Sequence, residues 1–85
     1  MKILFSQEFK KNFRKLPIQI QNLYHKQEEI FESNWKDSCL HTKKLRGDKI
    51  TFSFRITRQY RVLFIFVQNR VALFVTIDHR KDIYR

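Results

Sequence analysis

From about residue 50 onward the apolar side chains of this 85-residue chain stop recurring at helical spacing and begin to alternate, and that change limits the folds open to it. Three alternating stretches follow, 50–57, 59–67 and 70–77, separated by "TRQ" and "QN". Connections that short join antiparallel neighbours, so they predict a meander sheet. Upstream, "MKILF" reads as a short strand, and Ser6 stands where an N-cap would satisfy the free amides of a helix over "QEFKKNFRKL". Phe5, Phe9, Phe13 and Leu16 mark its inner face. Pro17 suits the start of a second helix, whose face is traced by Ile20, Leu23, Tyr24, Ile30, Phe31 and Trp35, with Gln27 as a polar interruption. A basic connector, "LHTKKLRGDK", with a turn at Gly47 and Asp48, leads into the sheet. The expected fold class is α+β: an N-terminal strand and a two-helix hairpin packed on an antiparallel β-sheet. One Gly, one Pro and no repeat predict a single domain over residues 1–85.

Side-chain parity assigns faces. Phe52, Phe54 and Ile56 share one parity, as do Tyr60, Val62, Phe64 and Phe66, and the odd-numbered loop Thr57–Gln59 puts both sets on one core face. On that register Arg55 lies opposite Arg61, both pointing away from the core, and Arg58 falls in the hairpin turn. Like charges directly opposite each other destabilise a sheet by up to roughly 1 kcal/mol, so the pair calls for an anion between them. Continuing through a Gln68–Asn69 turn adds Val71, Leu73, Val75 and Ile77 to the core face, sets Thr76 beside Arg61, and returns Asp78 to the arginine side. The outer face then also carries Leu63, Ile65, Val67, Ala72 and Phe74, too apolar for a solvated surface, and needs a cover.

The formal charge is +10, and its distribution is uneven. Residues 1–42 hold seven Lys/Arg against five Asp/Glu, whereas residues 43–85 hold eleven against three. Such a field selects a polyanionic partner. The single cysteine, Cys39, excludes an internal disulfide, and with no long apolar run it points to a cytoplasmic protein that needs no membrane. Cys39, His41, Asp78 and His79 do not match a standard ligand spacing and sit in positive surroundings, so neither a metal nor a cofactor is expected. No Gly-rich phosphate loop or nucleophile elbow is present.

The ordered set "KKLRG", "FSFRITRQYRVLF" and "HRKDIYR" resembles the RelE/ParE superfamily, the toxin halves of type II toxin–antitoxin pairs, and is most similar to the RelE and YoeB branches. The resemblance implies the RelE-like fold and a ribosome-dependent endoribonuclease, an mRNA interferase that cuts message in the decoding site and is held inactive by a cognate antitoxin. Carried over by position, the functional groups become Arg55, Arg61 and Tyr84, with Arg80 or Lys81 as the last basic group. This chain departs from the RelE pattern in having Ser53 where a second basic residue stands. Its shorter C-terminal turn leaves His79 and Arg80 both open for the basic site.

Cleavage of RNA by its own 2′-OH needs a base, an acid and cations for the developing charge. Arg55 and Arg61 suit the last role, because a guanidinium can hold two phosphate oxygens. His79 could exchange protons or bind a phosphate, and Tyr84 could stack on a base or supply its phenol; the bland alternatives are an exposed tail histidine and a tyrosine that pins the tail. His41, Lys43, Lys44 and Arg46, with Arg58, Lys81 and Arg85, are expected to contact backbone phosphates. His25 and the charges of the first helix read as a solvated face. The leading expectation is therefore a metal-independent nuclease whose partners are the ribosome, mRNA and an acidic antitoxin. The rivals are a ParE-like inhibitor of DNA gyrase that cuts nothing and a non-toxic RNA-binding module.

Overall fold

The computed structural model describes residues 1–84. In chain order the elements are β1 (Lys2–Phe5), α1 (Gln7–Arg14), α2 (Ile18–Ser33), a 3-10 turn (Ser38–Leu40), β2 (Lys43–Lys44), β3 (Phe52–Arg55), β4 (Tyr60–Gln68), β5 (Val71–His79) and a one-turn helix α3 (Arg80–Ile83). They form a five-stranded sheet in the order β1-β5-β4-β3-β2. β1 runs parallel to β5, and the other neighbours are antiparallel.

Local chemistry sets the helix ends where the sequence places them. The Ser6 hydroxyl accepts from the Phe9 amide at 2.9 Å, capping α1, and donates to the Val75 carbonyl, so one side chain starts the helix and ties it to β5. Pro17, which has no amide to leave unsatisfied, immediately precedes α2. Helix α2 lays Tyr24 and Phe31 into the core. Phe31 is fully buried, with ring centroids 4.9 Å from Phe64, 5.0 Å from Phe74 and 5.3 Å from Phe54, the first two edge-on as aromatic quadrupoles prefer. Around it Leu40, Val62, Ala72 and Ile77 are also closed to solvent. Gln27 donates its side-chain amide to the Arg55 carbonyl at 2.9 Å, so the polar interruption on α2 ties the helix to β3.

The β3–β4 register matches the parity argument: Phe52 faces Phe64, Phe54 faces Val62, and Arg55 faces Arg61. The β4–β5 register differs from the expected one. Gln68 pairs with Val71, so the turn is Asn69–Arg70, one residue later, with Arg70 in the left-handed region at φ 63°. This slides β5 along β4 and sets Asp78, in place of Thr76, opposite Arg61; Thr76 pairs with Leu63. An irregularity that skips Val67 then flips the parity of the next residues. Ala72 and Phe74, assigned above to the outer face, are fully buried in the core, while Leu73 lies opposite Ile65. A second irregularity, at Val75, flips the parity back, so that Ile77 meets Val62 in the core.

The helices pack on the face carrying Phe54, Phe64 and Phe74. The opposite face keeps half-buried Leu63, Ile65 and Leu73 and exposed Leu4 and Val67. Among the described residues no helix is long and apolar enough to cross a membrane. Replacing Phe31 by Ala removes the ring around which three strands are packed, and unfolding in denaturant is expected to show a loss of about 3–5 kcal/mol.

Candidate active site on the open sheet face

The hairpin that presents the arginines is held from both ends. Thr57 accepts from the Gln59 and Tyr60 amides through its hydroxyl, each at 3.2 Å, which fixes the turn just before Arg61. Gln27 holds the carbonyl of Arg55 on the partner strand. Arg61 is only 8% exposed, and Arg55 is half-buried. Arg61 makes a long contact of 3.4 Å from Nη2 to the carbonyl of Arg58, which sits exposed in the turn.

Three buried side-chain atoms on the described residues have no hydrogen-bond partner: Ser53 Oγ, Arg55 Nε and Arg61 Nε. All belong to the face opposite the core, since Ser53 and Arg55 alternate with Phe52 and Phe54, and Arg61 faces Arg55. A buried polar atom left unpaired costs about 1–3 kcal/mol, more when charged. Among the described residues neither guanidinium is engaged in an ion pair. A guanidinium cannot shed its charge to relieve the strain. An oxyanion with several acceptor oxygens is the kind of group that these donors fit.

The row Arg55–Arg61–Asp78 crosses three strands. Asp78 is half-buried, and its carboxylate accepts from the His79 amide at 2.7 Å. The next row, Lys43–Ser53–Leu63, brings Lys43 to the same face, whereas Lys44 lies over the Phe52 ring at 5.9 Å. The connector's remaining basic residues, His41 and Arg46, are exposed. His41 adopts the left-handed region at φ 49° after the 3-10 turn. The loop behind Arg46 is fixed by Asp48, whose carboxylate accepts from the Thr51 hydroxyl and the amides of Thr51 and Ile50; those bonds hold its pKa below the ordinary value.

The C-terminal candidates lie apart from the arginine pair. His79 pairs with Tyr60, not Arg61, and by strand alternation belongs to the other side of the sheet. Its ring stands edge-on to Tyr60 at 5.2 Å and lines a groove of about 430 Å³ with Asn12, Lys15 and Lys81. Nδ1 accepts from the Lys81 amide at 3.1 Å, capping α3, so in neutral His79 the proton resides on Nε2. Arg80 and Lys81 are exposed, and the Arg80 amide donates to the Gln59 carbonyl at 2.6 Å, joining this segment to the arginine hairpin. Ile83 is buried, and Tyr84 is 47% exposed. Arg85 lies outside the described residues. Sequence reasoning passed over Ser53 as a site residue, although its parity with Arg55 and its small polar side chain among aromatic residues were visible signals.

No protein-family model matches the chain, and no curated protein matches it in sequence. Solved structures do match. A chain of the RelB–RelE antitoxin–toxin complex from Methanococcus jannaschii superposes with a TM-score of 0.77 at 25% identity, over 95% of this chain and 94% of that one. YafQ from E. coli strain BL21(DE3) gives 0.80 at 10% identity, over 99% and 98% of the two chains. The YoeB/ParE toxin from Agrobacterium tumefaciens gives 0.78 at 12% identity, over 94% and 99%. Over nearly its whole length the chain has the RelE-like toxin fold, as the resemblance in its sequence implies.

Proposed function

We propose that this chain is the toxin of a type II toxin–antitoxin pair and a metal-independent endoribonuclease that cuts mRNA on the ribosome. The observation that supports this reading best is that Arg55 and Arg61 face each other on the side of the sheet opposite the core, each with a buried Nε that has no partner. In the reaction the 2′-oxygen loses its proton to a base and bonds to the adjacent phosphorus. The bond from phosphorus to the 5′-oxygen breaks, and that oxygen takes up a proton, leaving a 2′,3′-cyclic phosphate and a 5′-hydroxyl. Negative charge grows on the non-bridging oxygens, and the two guanidiniums are placed to meet it. Lys43, Lys44, His41, Arg46, Arg58 and the C-terminal Arg80, Lys81 and Arg85 hold the surrounding backbone. His79 and Tyr84 stand at the margin, as groups that assist proton movement or position the RNA. The antitoxin is an acidic segment that covers Leu4, Leu63, Ile65 and Leu73 and neutralises the bases beside them.

Message incubated with translating ribosomes and the protein is expected to be cut, and to stay whole without ribosomes; message left intact in both reactions rejects the reading. If cells expressing the protein stop growing with DNA damage before translation falls, the gyrase-inhibitor alternative replaces it. Arg61→Ala is expected to slow cleavage by about 10²–10³-fold, the usual effect of removing one donor from a developing oxyanion. His79→Gln is expected to slow it less, because its ring lies on the other side of the sheet from Arg61.

Removing charge from the connector should behave differently. The double variant Lys43→Ala/Lys44→Ala is expected to weaken RNA binding without changing sequence preference. Its log-affinity against log-salt slope should fall by about 1.4, since each neutralised phosphate on a single strand contributes about 0.7. Filter binding across a salt series measures both.

A further inference from the structure

We infer that Ser53 is the third donor of the anion site, and that its hydroxyl joins the Nε–H groups of Arg55 and Arg61 on a single oxyanion of the phosphate class. The inference rests on reading this face as an anion site, and it adds a neutral donor to the two charged ones. Ser53 is fully buried, Arg61 nearly so, and their unpartnered atoms share one sheet face with that of Arg55. Ser53 precedes Arg55 by two residues on β3 and sits diagonally across the ladder from Arg61, within reach of its long side chain.

The donor inventory decides what fits. Each Nε–H can only donate, and a serine hydroxyl has one hydrogen to give. Pairing among the three leaves at least one donor without an acceptor, because neither guanidinium offers one. A tetrahedral oxyanion presents enough acceptor oxygens for all three, and the two positive charges favour it over a water molecule. Lys43 pairs with Ser53 across the ladder, and Arg55 and Arg61 stand one step along it, all three with side chains long enough to reach a ligand beside Ser53. The serine donates a hydrogen bond without adding a further charge to Lys43, Arg55 and Arg61, so these cations repel one another less than they would with another base at this position.

The test uses the full chain, titrated with inorganic phosphate while the Nε–H resonances of Arg55 and Arg61 are followed by NMR, alongside thermal unfolding. Phosphate is expected to shift both resonances. Ser53→Ala is expected to unfold at the same temperature as the unsubstituted chain or higher without phosphate, because an unpaired buried hydroxyl is gone, and to bind phosphate about tenfold more weakly. Equal phosphate affinity in Ser53→Ala and the unsubstituted chain overturns the inference and leaves Ser53 as a buried hydroxyl only. Phosphate that moves neither Nε–H overturns it as well, with water as the occupant. Ser53-dependent phosphate binding by a protein that leaves ribosome-bound message intact supports the inference and rejects the nuclease reading, so the two fail separately.

Discussion

Phe31 is the contact on which the architecture rests. Its ring meets one phenylalanine from each of β3, β4 and β5, so a single residue of α2 holds the three central strands at once. With so much apolar surface buried on one side of the sheet, the other side need not contribute to stability. That is what allows two facing arginines and an unpaired serine hydroxyl to persist there. Local strain of this kind survives only when the surroundings over-determine the fold, and the aromatic side of the sheet supplies that excess.

The electrostatics follow the same division. Most of the described basic residues of the second half of the chain are exposed on the connector, the two hairpin turns and the C-terminal segment, where water screens them. Among the described lysines and arginines of this half, only Arg55 and Arg61 are withdrawn from solvent, where a charge acts more strongly at short range. The fold thus sets screened surface charges apart from two withdrawn ones. On the helix side, burial and the neighbouring Glu28 push the Tyr24 phenol well above its ordinary range; it stays neutral and hydrogen-bonds that carboxylate at 2.6 Å.

Much of this was legible in the sequence, for identifiable reasons. The Ser6 cap, the two helices and the Arg55–Arg61 register were readable because a short odd loop and strict alternation leave no freedom in β3 and β4. β5 was readable only in part. The Asn69–Arg70 turn and the irregularity at Val67 put Phe74 on the side of Phe31, and the one at Val75 returns Ile77 to it, offsets that alternation does not encode. The same offsets explain why Ala72 and Phe74 were assigned to the wrong face. Ser53 was visible by parity, but its lack of a partner appears only when every neighbouring group has a position.

The extra residue at Val75 has a consequence beyond packing. It sets the parity of everything downstream, and so selects which of two adjacent titratable side chains, Asp78 or His79, shares a face with Arg61. With it, a carboxylate stands on the arginine side and the imidazole turns toward Lys15. Were Val75 instead paired with Leu63 in regular alternation, Ile77 would stand opposite Arg61, Asp78 would turn behind the sheet beside Tyr60, and His79 would come to the arginine side. The acid–base character of this surface therefore depends on whether one apolar residue of a strand is paired or left out of the ladder.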